Sequence, residues 1–109
     1  DLGAQNTSIG GYYAATVNAS HNYTVIGQST NKIGNKLILA AVDASDATSR
    51  HMLEVLVTTD NTDTYVMGYG DVYTSTPLFS IAAGNNPGEL AIVPEAGVTM
   101  HLKIQDQSV

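Results

Sequence analysis

The stretch His51-Met52-Leu53-Glu54-Val55-Leu56-Val57-Thr58-Thr59 decides the fold. Alternation places Leu53, Val55 and Val57 on one face and Met52, Glu54 and Leu56 on the other, so a strand here is apolar on both sides apart from Glu54. Such a strand is central in a sheet or faces a partner. Outward from it, further strand-like runs bounded by turn residues fall at Ala14 to Ala19, Tyr23 to Gln28, Lys36 to Asp43, Thr64 to Thr74, Leu78 to Ala82, Glu89 to Pro94 and Thr99 to Gln105. No window of a dozen residues carries apolar side chains at i, i+3, i+4 and i+7 without an intervening Gly, Pro or β-branched cluster. The pattern predicts an all-β protein: an antiparallel, jelly-roll-like β-sandwich of about eight short strands.

Thr, Ser and Asn make up roughly a quarter of the residues, a bias that suits exposed strand faces and turns. The segment Thr64 to Thr74 keeps strand character through Gly68 and Gly70, and a glycine inside a strand marks a bulge or a close backbone approach, so a kinked strand is expected. Residues 1–12, Asp1 to Tyr12, are polar and Gly-rich with little periodicity and read as an extended N-terminal arm or linker, leaving 13–109 as a single sandwich domain. A chain opening on Asp1 is expected to be a processed product or a piece of something longer.

The chain has 109 residues, no Cys, no Trp, 4 Lys+Arg against 10 Asp+Glu and a formal net charge of -6. That length fits one small domain, which buries a modest share of its surface and gains from partner contacts. The missing cysteines remove disulfides, thiolate zinc sites and cysteine nucleophiles together. A single Arg and a pI near 4.5 leave no basic stripe for a phosphate backbone, so no nucleic-acid binding is expected. No apolar run approaches the roughly 20 residues of a membrane-spanning helix, and no membrane insertion is expected.

His21, His51 and His101 lack the spacing of a helical zinc site, and no Ser lies in a Gly-x-Ser-x-Gly elbow, so all three read as surface or strand-edge histidines. Asp43-Ala44-Ser45-Asp46 and Asp60-Asn61-Thr62-Asp63 have oxygen ligands a Ca²⁺ could use, but without the Gly and distal Glu of an EF-hand loop they read as turn caps. Two acids for glycoside hydrolysis could be drawn from Glu54, Asp71, Glu89 and Glu95. Arg50 is four positions before Glu54 on the same strand face, and a structural ion pair or a shared hydrogen-bond network accounts for both at least as well as an active site. No catalytic residue, metal site or cofactor is therefore assigned. Six Tyr against one Phe point to subunit contacts, with Tyr12, Tyr13, Tyr69 and Tyr73 joining Met52, Glu54 and Leu56 as interface candidates. Tyr69, Asp71 and Tyr73 are the contacts a glycan would use.

From Lys36 to Gln105 the order of features resembles a β-rich domain of virion structural proteins of tailed phages, especially those of cyanobacterial and other marine phages. Lys36-Leu37-Ile38-Leu39, Leu53-Glu54-Val55-Leu56-Val57, Tyr69-Gly70-Asp71-Val72-Tyr73-Thr74, Leu78-Phe79-Ser80-Ile81, Glu89-Leu90-Ala91-Ile92-Val93-Pro94 and Thr99-Met100-His101-Leu102-Lys103-Ile104 carry the likeness. The turn after Val57 lacks the family's Asp-Gly or Asn-Gly, and Ala40-Ala41-Val42 replaces a bulkier alternation. The resemblance implies a non-catalytic virion module, either capsid decoration or a fibre component, on the particle surface. Its partners would be copies of itself, with a trimer expected, and other virion proteins. The alternative is a receptor- or glycan-binding head domain of a tail fibre or spike, meeting a host surface glycan.

Overall fold

Burial alternates residue by residue along 35–41, 48–58 and 100–107, as it does in strands that set one face on a core. The computed structural model describes residues 12–25 and 33–109. Its strands are β1 (Tyr12–Val17), β2 (His21–Thr24), β3 (Gly34–Asp43), β4 (Asp46–Thr59), β5 (Thr64–Tyr73), β6 (Phe79–Ala83), β7 (Glu89–Pro94) and β8 (Met100–Ser108). The arm expected at the N-terminus lies outside the described residues except for Tyr12, which opens β1. Of the run expected from Tyr23 to Gln28, the part from residue 26 on also lies outside them. β4 starts at Asp46 rather than His51, because Asp43 already pairs with Asp46 across a two-residue loop.

The strands make two antiparallel sheets, one in the order β1-β8-β3-β4-β5 and one in the order β2-β7-β6. β1 with β8 and β2 with β7 give the nested outer pairing of a jelly roll. The inner strands depart from it. β3, β4 and β5 continue as a meander in one sheet, so the sheets have five and three strands rather than four each. β4, apolar on both faces, is an interior strand, as its composition requires.

The inner face of the larger sheet carries Leu37, Leu39 and Ala41 on β3, Leu53, Val55 and Val57 on β4, and Met100, Leu102 and Ile104 on β8, all buried. Leu90 and Ile92 on β7, Phe79 on β6 and Tyr23 on β2 close the core from the smaller sheet. Truncating one of the fully buried leucines to Ala removes its transfer energy and leaves a cavity, at about 2–5 kcal/mol.

The two glycines of β5 divide the roles expected of them. Glu54 pairs with Tyr69 and Met52 with Val72, so Gly70 and Asp71 together oppose Leu53 in a bulge. Gly70 takes a φ of 67°, a conformation that costs glycine little. At Gly68 a Cβ would stand 3.2 Å from Leu53 Cδ1 and 3.3 Å from Ile81 Cδ1, so its bare backbone is what lets β6 approach β5.

Candidate interaction surface

The register of the larger sheet assembles its outer face row by row. Ile38, Glu54 and Tyr69 align across β3, β4 and β5, followed by Ala40, Met52 and Val72, with Lys36, Leu56 and Met67 on the other side. β8 adds Lys103 beside Ala40 and Gln105 beside Ile38, and β1 adds Tyr12 beside Gln105. Met67 and Val72 are each 66% exposed and Met52 51%, with Leu56 and Tyr69 also open to solvent. A contiguous apolar cluster of this kind, framed by polar side chains, is what marks an interaction surface on a small soluble domain. Lys36 Nζ lies 3.4 Å from Glu54 Oε2. That pair is partly exposed and contributes about 0–1 kcal/mol.

Tyr12, Met52, Glu54, Leu56 and Tyr69, five of the seven interface candidates, thus share one face. Tyr13 and Tyr73 do not. Tyr13 pairs with Ile104, turns inward and packs on the core, its hydroxyl 2.8 Å from His21 Nε2. Tyr73 pairs with His51 and sets its ring edge-on to that imidazole at 5.4 Å. Of the glycan candidates, Asp71 and Tyr73 come together while Tyr69 faces the other side of the sheet, because the bulge reverses the alternation between them.

His51 corrects the sequence reading. It is 2% exposed on an interior strand, because its odd position shares the inner face with Leu53 and Val55. The Leu78 backbone N–H donates to Nδ1 at 3.0 Å, so the proton of the neutral ring sits on Nε2 and is donated to Asp71 Oδ1 at 2.5 Å. Phe79 stacks on the ring at 4.1 Å between centroids. The imidazole therefore ties β4, the β5 bulge and the start of β6 together, with both nitrogens engaged. Above it opens a cleft of about 440 Å³ lined by Asp71, Pro77, Phe79, Ser80, Ile81 and Glu95. Of the other two histidines, His21 lies on the edge strand β2, half-buried, and His101 is exposed, with Nδ1 3.1 Å from Thr16 Oγ1.

The pair expected between Arg50 and Glu54 is absent. Four residues along a strand span about 13 Å, and Arg50 Nε instead donates to the Ala47 carbonyl at 2.8 Å. Of the four acids from which a hydrolytic pair could be drawn, Glu54 and Asp71 engage Lys36 on one face and His51 on the other. Glu89 accepts from the backbone N–H of Asn85 and Asn86, and Glu95 lines the His51 cleft. The turn carboxylates act as caps. Asp43 accepts from the N–H and hydroxyl of Ser45, Asp46 from those of Thr48, and Asp60 from the N–H of Thr62 and Asp63. The Thr48 hydroxyl bond holds Asp46 below the usual carboxylate range, and the Asp63 N–H bond does the same for Asp60.

Two features escaped the sequence reading. Asp106, 3% exposed, accepts from the Tyr23 hydroxyl and from Asn35 Nδ2, each at 2.7 Å. Burial first, then the hydrogen bond and charge of Asp106, push the Tyr23 phenol far above its ordinary value. The even positions Leu102, Ile104 and Asp106 gave a signal, since the carboxylate continues the apolar face of β8. The second feature is charge placement. Lys36, Arg50 and Lys103, the only Lys and Arg among the described residues, all fall at outward positions of the larger sheet.

A two-sheet, all-β sandwich with one apolar outer face is therefore the class of molecule the geometry defines. No known protein family and no curated protein matches the sequence. Among solved structures, the chain is similar to part of the tailspike protein of the Acinetobacter phage vB_ApiP_P1, with a TM-score of 0.61 and 16% sequence identity. The match covers 90% of this chain and 22% of that one, so the likeness is of fold, to about a fifth of the tailspike's length.

Proposed function

We propose that the chain is a non-catalytic structural module of a phage particle, a fibre or spike component or a capsid decoration. It would work by packing on copies of itself, a trimer being the expected assembly, and on other virion proteins. The outer face of the larger sheet carries this reading: Met52, Leu56, Met67, Tyr69 and Val72, with the half-buried Ile38 between them, form an exposed apolar cluster on a small domain with a modest core. Its fold likeness to part of a phage tailspike supports the setting. Association through that face stabilises the domain by mass action.

Sedimentation of the purified chain over a concentration series tests the proposal, alongside binding to particle components. The expected result is concentration-dependent assembly that the double substitution Met52→Thr, Leu56→Thr abolishes with little change in melting temperature, since both side chains are exposed. A chain that stays monomeric at high concentration and binds no particle component overturns the reading.

The glycan-binding alternative draws on Asp71 and Tyr73 meeting beside the His51 cleft. Glycan-array binding lost on Asp71→Asn would favour it. An array without any signal, with and without Ca²⁺, would remove it.

A further inference from the structure

Tyr65, Met67, Tyr69 and Val72, exposed apolar side chains of the outer face, all belong to β5, which is an edge strand of the larger sheet. The apolar surface therefore runs off the sheet at this edge instead of ending within it. β5 is ten residues long and carries no Lys, Arg or Pro, the residues that blunt natural sheet edges. Its one guard is the bulge at Gly70 and Asp71, which leaves residues 64–69 in regular register.

Ladder parity says which backbone groups are open there. The Asp60 N–H donates to the Asp63 carbonyl at the hairpin end, and bonded pairs in an antiparallel ladder recur at every second residue. Thr58 with Tyr65, Leu56 with Met67 and Glu54 with Tyr69 are thus the pairs bonded between β4 and β5. The N–H and C=O groups of Val66 and Gly68 point out of the sheet, and neither residue bonds to the backbone of another element among the described residues. β6 does not cover them. A Cβ at Gly68 would meet Leu53 and Ile81 together, which puts β6 beneath β4 and β5 and not alongside.

Between the hairpin turn and the bulge the regular edge runs from Tyr65 to Tyr69, with Met67 at its midpoint. We infer that a second copy of this chain adds its own β5 at this edge, antiparallel, about a two-fold axis through Met67. Val66 of each copy then exchanges backbone hydrogen bonds with Gly68 of the other. On the outer face Met67 stands opposite Met67, and each Tyr65 opposite a Tyr69, the kind of cross-strand aromatic pair that stabilises a sheet. On the other face each Val66 falls opposite a glycine with no side chain to obstruct it. Residues 64–70 carry no charge, so the segment pairs with itself without setting like charges opposite each other. The contact joins the two five-stranded sheets and makes their apolar outer faces continuous. The inference rests on the module reading above and names one contact between copies; in a cyclic trimer the same two-fold contact would join one trimer to another.

Single cysteines test the register on the full chain, which has no Cys of its own. In Met67→Cys the two thiols meet at the axis, where opposed non-bonded residues have Cα atoms about 4.5 Å apart, inside the roughly 4.4–6.8 Å that a disulfide spans. Mild oxidation should convert that variant to a covalent dimer. Val72→Cys, equally exposed on the same strand but beyond the bulge, should stay uncrosslinked under the same conditions. A charge pair repeats the test without oxidation. Met67→Lys and Met67→Glu should each stay monomeric where the wild type associates, because like charges meet at the axis, and an equimolar mixture should associate again. Met67 is exposed, so both variants should keep the wild-type melting temperature in dilute solution. Equal cross-linking of the two cysteine variants, or a mixture that stays monomeric, overturns the β5 pairing. A chain that binds particle components but never associates with itself also overturns it and leaves the module reading standing, whereas a chain that does neither removes both.

Discussion

Burial decides what single side chains do here. Tyr23 donates to Asp106 in the core, and a hydrogen bond to a carboxylate in such a place is worth about 1.5–3 kcal/mol. Tyr23→Phe should therefore lower stability by about that amount in urea denaturation with an unchanged m-value, and a change near zero would refute the assigned role. Burial also lowers the pKa of His21. Above the ordinary imidazole pKa of about 6.5, folded and unfolded chains are both neutral there and the group is silent. As pH falls below it, the unfolded chain takes up a proton that the folded chain does not, and stability declines until the lowered folded pKa is reached. Asp46 and Asp60, whose pKa values are depressed, add a second loss of stability, as pH falls from the ordinary carboxylate range through their folded values. His21→Gln should flatten the first decline and leave the second. Equal pH profiles for the two chains would show that His21 contributes nothing.

At the scale of elements, much was legible and the misses have identifiable causes. β7 was read to its exact ends because Glu89 and Pro94 bound an unbroken apolar run. The kink in β5 followed from Gly68 and Gly70, but nothing local said that the bulge would turn Asp71 toward His51, since that contact needs β4 alongside. His51 itself was misread. A lone imidazole at the start of an apolar strand carries no local sign of the Leu78 N–H that satisfies it from the loop before β6. Arg50 and Glu54 were paired by parity, when distance along a strand forbids it. Gly70→Val tests the bulge: a β-branched residue at φ 67° is strained, so the variant should lose about 1–3 kcal/mol. Unchanged stability would mean that the bulge can relax without cost.

For the whole molecule, the face that matters was half visible in the sequence. Met52, Glu54 and Leu56 announced a second apolar side to β4, yet only the register with β3, β5 and β8 joins them to Ile38, Tyr69 and Val72 and gathers Lys36, Arg50 and Lys103 around them. The net charge of -6 conceals that separation, because a sum has no geometry. Oxidation by hydrogen peroxide reads the outcome most directly, since the three methionines are their own controls. Met52 and Met67 are on the outer face, whereas Met100 is fully buried in the core. In dilute, monomeric chain Met52 and Met67 should oxidise readily and Met100 slowly. In the assembled state Met52 and Met67 should become protected while Met100 is unchanged. Equal oxidation of Met52 and Met67 in both states would contradict the claim that this face is where the module meets its neighbours.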